Sequence, residues 1–402
     1  MRNKPKLSAR LKGRAADLAA DLLALSLRFG GKNTYRDVVN ALWERQPIFS
    51  DADIHLDVPS YRAADPAERP LIERIFAFYK RAKQGERDVD PIFLPAGGWK
   101  KVVEAAFGNL IKGYETDDIQ PFHYFLANFG NWEVPTGIEE SSEHWKAKES
   151  ARKRHYLEQI EMAQLIHWWQ TYESLGRDLS VLTTPRHGNF TGIRVNGHVI
   201  LPNSVFSDFY ARQLAGFLHG QPDPIVAELG GGYGRLCYFL TREIPTMHYV
   251  GFDLPEGLCY AAYYLMSAFP DKKFLLYGEA DWQQVSFKDY DFVLLPAYEI
   301  GKQPNDSIDL FLNENSLGAM SPAACAMFVK EICRTSLRFW HRNHEVRRNP
   351  FEDGKPSLVN AEYPVPMDRF RLLVRDHDIS RIVGHDRSRI KNDMVWYYYE
   401  RA

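Results

Sequence analysis

The sequence has 402 residues, of which 45% are hydrophobic and 25% charged, with a formal net charge of -2 at pH 7. This length suffices for one large or two ordinary domains, and the composition is that of a soluble globular protein. Acidic and basic residues are nearly equal in number, so the chain lacks the overall basic bias typical of nucleic-acid-binding proteins. No uncharged apolar run is long enough to predict a membrane span.

The N-terminal arm is basic, with six Lys and Arg residues and no acid among its first fourteen residues. An amphipathic stretch follows, in which Asp17 and Asp21 interrupt the apolar run that a signal peptide needs. We interpret the arm as a solvated segment that leads into a helix. The alternative is weak peripheral contact with an anionic membrane surface.

The first 185 residues show mainly helical periodicity. Segments 99–112 and 155–169 place apolar residues three and four apart, and proline-rich or charged loops separate such segments. We therefore predict a mainly α-helical N-terminal domain over residues 1–185. It would recognise the acceptor, mediate homo-oligomerisation, or do both.

Strands and helices alternate from about residue 222 onward. Pro255 and Glu256 suit the first turn of one helix, and Ser321 and Pro322 suit the start of another. The alternation predicts an α/β doubly wound, mostly parallel sheet. We therefore assign residues 186–402 to a Rossmann-like domain. Either 272–278 or 291–297 can be its third core strand, because the sequence offers one strand more than needed.

The cysteines indicate neither a metal site nor a disulfide framework. All four lie in the second half of the chain without a C-x-x-C pair, at Cys237, Cys259, Cys325 and Cys333. Free thiols fit a reducing cytoplasm. No other ligand pattern stands out, so we predict no metal.

A glycine-rich turn follows the first strand of the α/β domain, in the stretch V-A-E-L-G-G-G-Y-G-R. The G-x-x-x-x-G-K-[ST] loop of nucleotide triphosphatases is absent. A dinucleotide fingerprint needs a third small residue, but the frame from Gly230 puts Arg235 there and the frame from Gly232 puts Cys237 there. The acid Glu228 would also sit poorly beside a pyrophosphate, whereas it would attract a cation.

The spacing of these glycines after an acid resembles the first motif of class I S-adenosylmethionine-dependent methyltransferases. That cofactor carries a sulfonium and an ammonium group and no phosphate, which agrees with an acid before the loop. Asp253 ends the second strand, where a carboxylate can accept both ribose hydroxyls. The predicted cofactor-binding residues are Glu228, Gly230, Gly232, Gly234, Asp253 and Leu254.

Later stretches together resemble the sugar O-methyltransferase family of bacterial polysaccharide and glycosylated-metabolite clusters. The resemblance covers roughly residues 185–400 and is carried by D-L-P-E-G-L-C-Y-A-A-Y-Y-L, F-V-L-L-P, I-D-L-F-L-N-E-N-S-L-G-A-M and R-F-W-H-R-N…E-Y-P-V-P. It implies transfer of a methyl group from S-adenosylmethionine to a hydroxyl of a sugar or glycosylated acceptor. In the family pattern N-x-x-S-x-x-E-M, Asn313, Ser316 and Met320 match, while Ala319 replaces the acid.

Methyl transfer to a hydroxyl is an in-line displacement that a general base assists. Ligands of open α/β sheets bind beyond the carboxyl ends of the strands, so the fourth and fifth strands supply the candidates. His341 is the first candidate for the base, because imidazole titrates near neutral pH, and Glu314 is the second. Asn313, Asn343 and His344 are predicted to bind the substrate.

Two other hypotheses stay open. A nicotinamide- or flavin-dependent oxidoreductase would use a similar loop, although the glycine frame and Glu228 argue against it. A catalytically impaired binding or scaffold protein would keep the fold, and Ala319 and the basic arm support that alternative. Nucleic acid is not a predicted partner, because the chain has neither a basic stripe nor an N-P-P-[YF] motif.

Overall fold

The computed structural model of the protein describes residues 54–131, 165–379 except positions 202 and 352, and 393–402. The basic N-terminal arm and most of the predicted helix at 155–169 lie outside these residues. The described residues form two compact units, one of 54–58, 165–184 and 191–205, and one of 59–131, 185–190 and 206 onward. The second unit thus contains part of the predicted N-terminal domain together with the C-terminal half of the chain.

The smaller unit contains a three-stranded antiparallel sheet of β1 (Ile54–Asp57), β2 (Gly192–Val195) and β3 (His198–Ile200), in that order. Asn196 and Gly197 join β2 to β3, with φ angles of 47° and 82°. Two positive φ values at the centre of a two-residue connection are the pattern of a type I′ hairpin turn. The helical periodicity of the first 185 residues does not predict β1.

Among the described residues of the larger unit, four helices precede the α/β part: α1 (Arg69–Gly85), α2 (Gly97–Ala106), α3 (Gly108–Glu115) and α4 (Ile119–Asn128). The buried residues of α1 recur three and four apart, as in an amphipathic helix, at Ile72, Ile75, Phe76, Phe78, Tyr79 and Ala82. The helix predicted at 99–112 is confirmed, but it is interrupted at Phe107, where α2 ends and α3 begins.

An eight-stranded sheet forms the centre of the larger unit. Its strands are β4 (Ile225–Leu229), β5 (His248–Asp253), β6 (Phe274–Leu276), β7 (Phe292–Pro296), β8 (Leu310–Glu314), β9 (Arg338–His344), β10 (Phe370–His377) and β11 (Met394–Arg401). Their order is β10-β11-β9-β8-β4-β5-β7-β6, in which β4 to β9 pair in parallel and β11 is antiparallel to both of its neighbours. The predicted Rossmann-like sheet is confirmed.

The helices of this part are α5 (Ser204–Phe217), α6 (Arg235–Glu243), α7 (Pro255–Ala268) and α8 (Pro322–Thr335). Two predicted helix starts are confirmed. Pro255 occupies the first turn of α7, and the Ser321 hydroxyl accepts a hydrogen bond from the Ala324 amide at the start of α8. Such caps satisfy backbone N–H groups that the helix itself leaves unpaired.

The pairing also identifies the third core strand. β7 lies beside β5, with Asp253 opposite Pro296, whereas β6 pairs with the outer edge of β7. All five residues of β7 are buried, as expected for a strand covered on both faces of a parallel sheet. Segment 291–297 therefore supplies the core strand and 272–278 an additional edge strand.

β5, the next strand along the chain, pairs with one edge of β4, and β8 pairs with the opposite edge of β4. The strand order thus reverses between β4 and β8. Ligands of open α/β sheets bind at such a switch point, beyond the carboxyl ends of the strands. The loops after β4, β5, β7 and β8 meet at this edge.

Candidate functional site

The glycine loop after β4 has a backbone that requires glycine at its first position. The φ angles of Gly230, Gly232 and Gly234 are 75°, 57° and 85°, in the left-handed region that side chains disfavour. A Cβ on Gly230 would also lie 2.5 Å from the Cβ of Ser316. The loop after β4 therefore closes tightly against the loop after β8.

Asp253, at the end of β5, is tied to this loop. Its Oδ2 accepts a hydrogen bond from the Gly232 amide at 3.2 Å, and its Oδ1 accepts one from the Leu254 amide at 2.7 Å. Each carboxyl oxygen keeps a further lone pair for a ligand. Burial raises the pKa of Asp253 to about 7, although these two backbone bonds oppose the shift.

An open cavity with about 850 Å³ of empty space lies over the loop and Asp253. This space includes open solvent at the surface of the protein. The cavity brings together four of the predicted cofactor-binding residues, namely Gly230, Gly232, Asp253 and Leu254. Among the described residues that line it, none is Lys, Arg or His.

Several cavity-lining residues were not among the predicted site residues. The helical segment before the sheet contributes Phe93, Trp99 and Phe107, and no periodicity in the sequence marks them as ligand contacts. Glu256 and Tyr260 come from α7. After β8, the wall includes Ser316, Ala319 and Met320. Here the sequence does give a signal, since these positions belong to the pattern in which Ala319 replaces an acid.

Glu228 and Gly234 do not line the cavity. The Glu228 side chain is buried beneath the loop, where its Oε2 accepts a hydrogen bond from the Tyr249 hydroxyl at 2.7 Å. Burial raises the pKa of Glu228 to about 7, although the Tyr249 bond opposes the shift. A Cβ on Gly234 would lie 2.8 Å from Leu265, so that glycine allows close packing of α7. Both residues support the loop from below.

The structure argues against the predicted role of His341. Its side chain is fully buried within β9, its ring stacks on Tyr397 with centroids 5.0 Å apart, and neither ring nitrogen has a hydrogen-bond partner among the described residues. Burial lowers the pKa of His341 to about 3. His341 is not among the residues that line the cavity, so the structure gives no support to a general base at His341, and that role stays a prediction.

Glu314 lies at the carboxyl end of β8 but is not among the residues that line the cavity, and its carboxylate is already engaged. Its carboxylate forms a buried ion pair with Arg342, whose guanidinium also contacts Asp378. The ion pair restrains the Glu314 side chain, and its predicted role as a base stays a prediction.

Asn313 and Asn343 use their amides within the protein. Asn313 donates to the carbonyl of Leu229 at 3.0 Å, and Asn343 donates to Asn313 Oδ1 at 2.9 Å. The Gly318 amide in turn donates to Asn343 Oδ1 at 3.3 Å. Neither asparagine is among the residues that line the cavity. The pair therefore fixes the loop after β8, and the predicted direct contact with substrate is not supported.

His344 is likewise engaged away from the cavity. Its Nδ1 lies 2.7 Å from Asp393 Oδ1. Burial lowers the pKa of His344, although Asp393 opposes that shift. The contact joins the end of β9 to the residue before β11 and gives no support to the predicted substrate role.

Among the described residues, no group of three or more His, Cys, Asp or Glu side chains could hold a metal ion. Within residues 54–131, 165–379 and 393–402, no helix is both long and apolar enough to cross a membrane.

No protein-family model matches the sequence, and no curated protein matches it. Solved structures of methyltransferases do match. Mitomycin 7-O-methyltransferase is 13% identical over 50% of this chain and 56% of its own, with a TM-score of 0.33. Magnesium protoporphyrin IX methyltransferase from Synechocystis PCC 6803 with bound S-adenosylmethionine is 12% identical over 50% of this chain and 81% of its own, at 0.34.

A third match is the N-terminal domain of EvdMO1, determined in the presence of S-adenosylhomocysteine and D-fucose. It is 14% identical over 49% of this chain and 82% of its own, with a TM-score of 0.32. The chain spans little more than half of the mitomycin enzyme. TM-scores this low do not support an assignment of function. The fold assignment rests on the strand order of this chain.

Proposed function

We propose that the cavity binds S-adenosylmethionine and that the protein is a methyltransferase. The observation that carries the proposal is the pairing of Asp253 with the Gly232 amide at the mouth of a bare glycine loop. Asp253 would accept the ribose hydroxyls, and Gly230 and Gly232 would let the ligand approach the backbone closely. The bound cofactor would supply the methyl group, and this chain would position the acceptor.

The charge of the cavity supports this cofactor over a dinucleotide. Asp253 and Glu256 are its charged lining residues, and no cationic side chain among the described lining residues offsets them. An acid at the position of Asp253 also binds the ribose of dinucleotides, so the selection rests on the described lining, which offers no cationic side chain to a pyrophosphate and adds Glu256 as a second acid. The oxidoreductase alternative is therefore not favoured.

We further propose that the acceptor is a hydroxyl of a sugar or glycosylated molecule, with the resemblance of the sequence motifs as support. The burial of His341 leaves Glu314 as the predicted residue that can take the hydroxyl proton. Because Arg342 already engages Glu314, we expect positioning of the acceptor oxygen to carry most of the rate enhancement. Cytoplasmic location, contact of the arm with a membrane and homo-oligomerisation stay predictions.

One observation favours a second candidate, a binding protein that transfers no methyl group. Ala319 lies in the cavity wall at the position where the family pattern has an acid. A protein that has lost this acid could retain the cofactor without turnover.

Calorimetric titration with S-adenosylhomocysteine, with NADH as the control ligand, tests the proposal. We expect saturable binding of S-adenosylhomocysteine and none of NADH. Radiolabelled S-adenosylmethionine is then incubated with a panel of monosaccharides, glycosides and polysaccharides. Transfer to any of them supports the enzyme, and binding without transfer across the panel supports the binding protein. Binding of NADH alone would overturn the proposal.

A further inference from the structure

Glu256 brings a second carboxylate to the cavity, three residues after Asp253. It lies in the first turn of α7, its side chain is 2% exposed, and it lines the cavity. A charged group with so little exposure needs partners that replace the lost water.

Both protein contacts of Glu256 engage the same oxygen. Oε1 accepts a hydrogen bond from the Tyr79 hydroxyl at 2.9 Å and lies 3.0 Å from the Lys83 ammonium nitrogen. In the described part of the chain, no residue donates to Oε2. The side chain is thus held from α1 through Oε1, while Oε2 has no donor among the described residues.

Lys83, which contacts Glu256, is held in its charged form. Burial opposes the charge of Lys83, but the carboxylates of Glu256 and Glu86 raise the pKa of its ammonium group above the ordinary value. A charged Lys83 therefore stands beside Glu256. The start of α7 adds the partial positive charge of a helix N-terminus. A carboxylate oxygen accepts hydrogen bonds, so a carboxylate in a cavity wall suits a ligand with a hydroxyl or amino donor.

We propose that Glu256 is a second cofactor-binding carboxylate, whose Oε2 accepts a hydrogen bond from a hydroxyl or amino group of the adenosine moiety, and that Lys83 and Tyr79 position it. This inference rests on the proposed function. Two carboxylates that accept from the nucleoside would disfavour a phosphate on the groups that they bind. The helix α1, outside the sheet, then belongs to the cofactor site.

The test combines variants of Glu256 with ligands that lack single donors. Affinity is measured by calorimetry for S-adenosylhomocysteine and for its 2′-deoxy, 3′-deoxy and N6,N6-dimethyl forms. We expect Glu256→Gln to weaken binding of the parent ligand about tenfold, as for loss of one charge-assisted hydrogen bond. One analogue lacks the ligand group that donates to Glu256. For that analogue, Glu256→Gln and wild type should have the same affinity, because the analogue and the variant remove the same contact.

Two further variants keep the test decisive. Glu256→Asp retains the charge beside Lys83 but withdraws the oxygens by one methylene, so it should show the same ligand-dependent loss. Glu86→Gln is the matched control, since Glu86 also contacts Lys83 but does not line the cavity, and we expect its affinity to stay within about twofold of wild type. Thermal unfolding without ligand verifies that each variant is folded.

A loss of equal size with all four ligands would show that Glu256 acts on the fold, and unchanged affinity would show that it makes no contact. Either result overturns the inference while binding by the wild-type protein still supports the proposed function. A wild-type protein that binds none of the four ligands would overturn both.

Discussion

The carboxylate of Asp253 accepts a hydrogen bond from the backbone amide of Gly232, across the carboxyl ends of β5 and β4. The bond fixes an acid at the edge of a loop that has no side chain at the positions nearest the cavity. Because the loop and the acid come from neighbouring strands, their spacing is set by the sheet. A ligand can therefore contact both without rearrangement of the backbone.

Asp253→Asn should weaken S-adenosylhomocysteine binding by about tenfold to a hundredfold, because hydrogen bonds to a charged acceptor contribute about 1.5–3 kcal/mol. The asparagine oxygen can accept from only one of the two backbone amides that Asp253 engages, so thermal unfolding must verify that the variant is folded. Calorimetric titration measures the affinity. Asp271→Asn, at an exposed position of the same unit, is the control and should bind as wild type. Wild-type affinity in Asp253→Asn would contradict the ribose role.

The affinity should also depend on pH through Asp253. Its pKa is raised to about 7 by burial, although the amides of Leu254 and Gly232 oppose the shift, and ligand hydroxyls favour the ionised form. Binding should therefore strengthen about tenfold between about pH 6 and about pH 8, with release of a proton at the lower pH. Calorimetry in buffers of different ionisation enthalpy measures both. If the affinity of Asp253→Asn depended on pH in the same way as that of wild type, Asp253 would be excluded as the cause of the pH dependence.

Gly230→Ala should impair both stability and binding. The new methyl group would lie 2.5 Å from Ser316, at a φ of 75°, and such backbone strain costs about 1–3 kcal/mol. Urea unfolding and calorimetry measure the two effects. Gly301→Ala is the matched control, because a Cβ there would meet no atom within 4 Å, and it should leave both properties unchanged. Equal behaviour of the two variants would refute the close approach of the two loops.

His341→Phe should keep cofactor binding and reduce the sensitivity of the protein to acid. Burial lowers the pKa of His341 to about 3, whereas an unfolded histidine titrates near 6.5. As the pH falls below about 6.5, the unfolded state gains a proton that the folded state does not bind, so stability is lost. This group alone removes about 2 kcal/mol of stability at about pH 5.

Urea unfolding at about pH 7 and about pH 5 should show a smaller difference in His341→Phe than in wild type, by about that amount. Phenylalanine can replace the ring because neither nitrogen of His341 has a hydrogen-bond partner in the described ranges. Loss of methyl transfer with intact binding and folding would instead restore His341 as the base.

The sheet and the loop over it could be predicted because their signals are local. Continuous apolar runs such as F-V-L-L-P mark strands buried on both faces, and Pro255 and Ser321 mark helix starts. The glycine spacing and the acid at the end of β5 likewise lie in short stretches. These signals depend on backbone geometry that neighbouring residues determine.

The remaining wall of the cavity depends on tertiary packing. Trp99 and Phe93 line the same cavity as the glycine loop, although they lie more than a hundred residues before it in sequence. Nothing in their own segment indicates that placement. His341 illustrates a second difficulty. Residues alternate between the two faces of a strand, so the sequence of β9 alone does not show which of its polar residues face a ligand.

The bond between Tyr79 and Glu256 joins residues 177 positions apart. At a synthesis rate of about 5–20 residues per second, α1 leaves the ribosome roughly 10–35 s before its partner helix exists. Part of the apolar face of α1 is covered earlier by α3 and α4, since Tyr79 contacts Tyr114 and Phe122, but the surface supplied by α7 is missing throughout that interval. We expect the uncovered part to favour aggregation of the nascent chain and binding by chaperones. Lower growth temperatures or added chaperones should therefore raise the yield of folded protein.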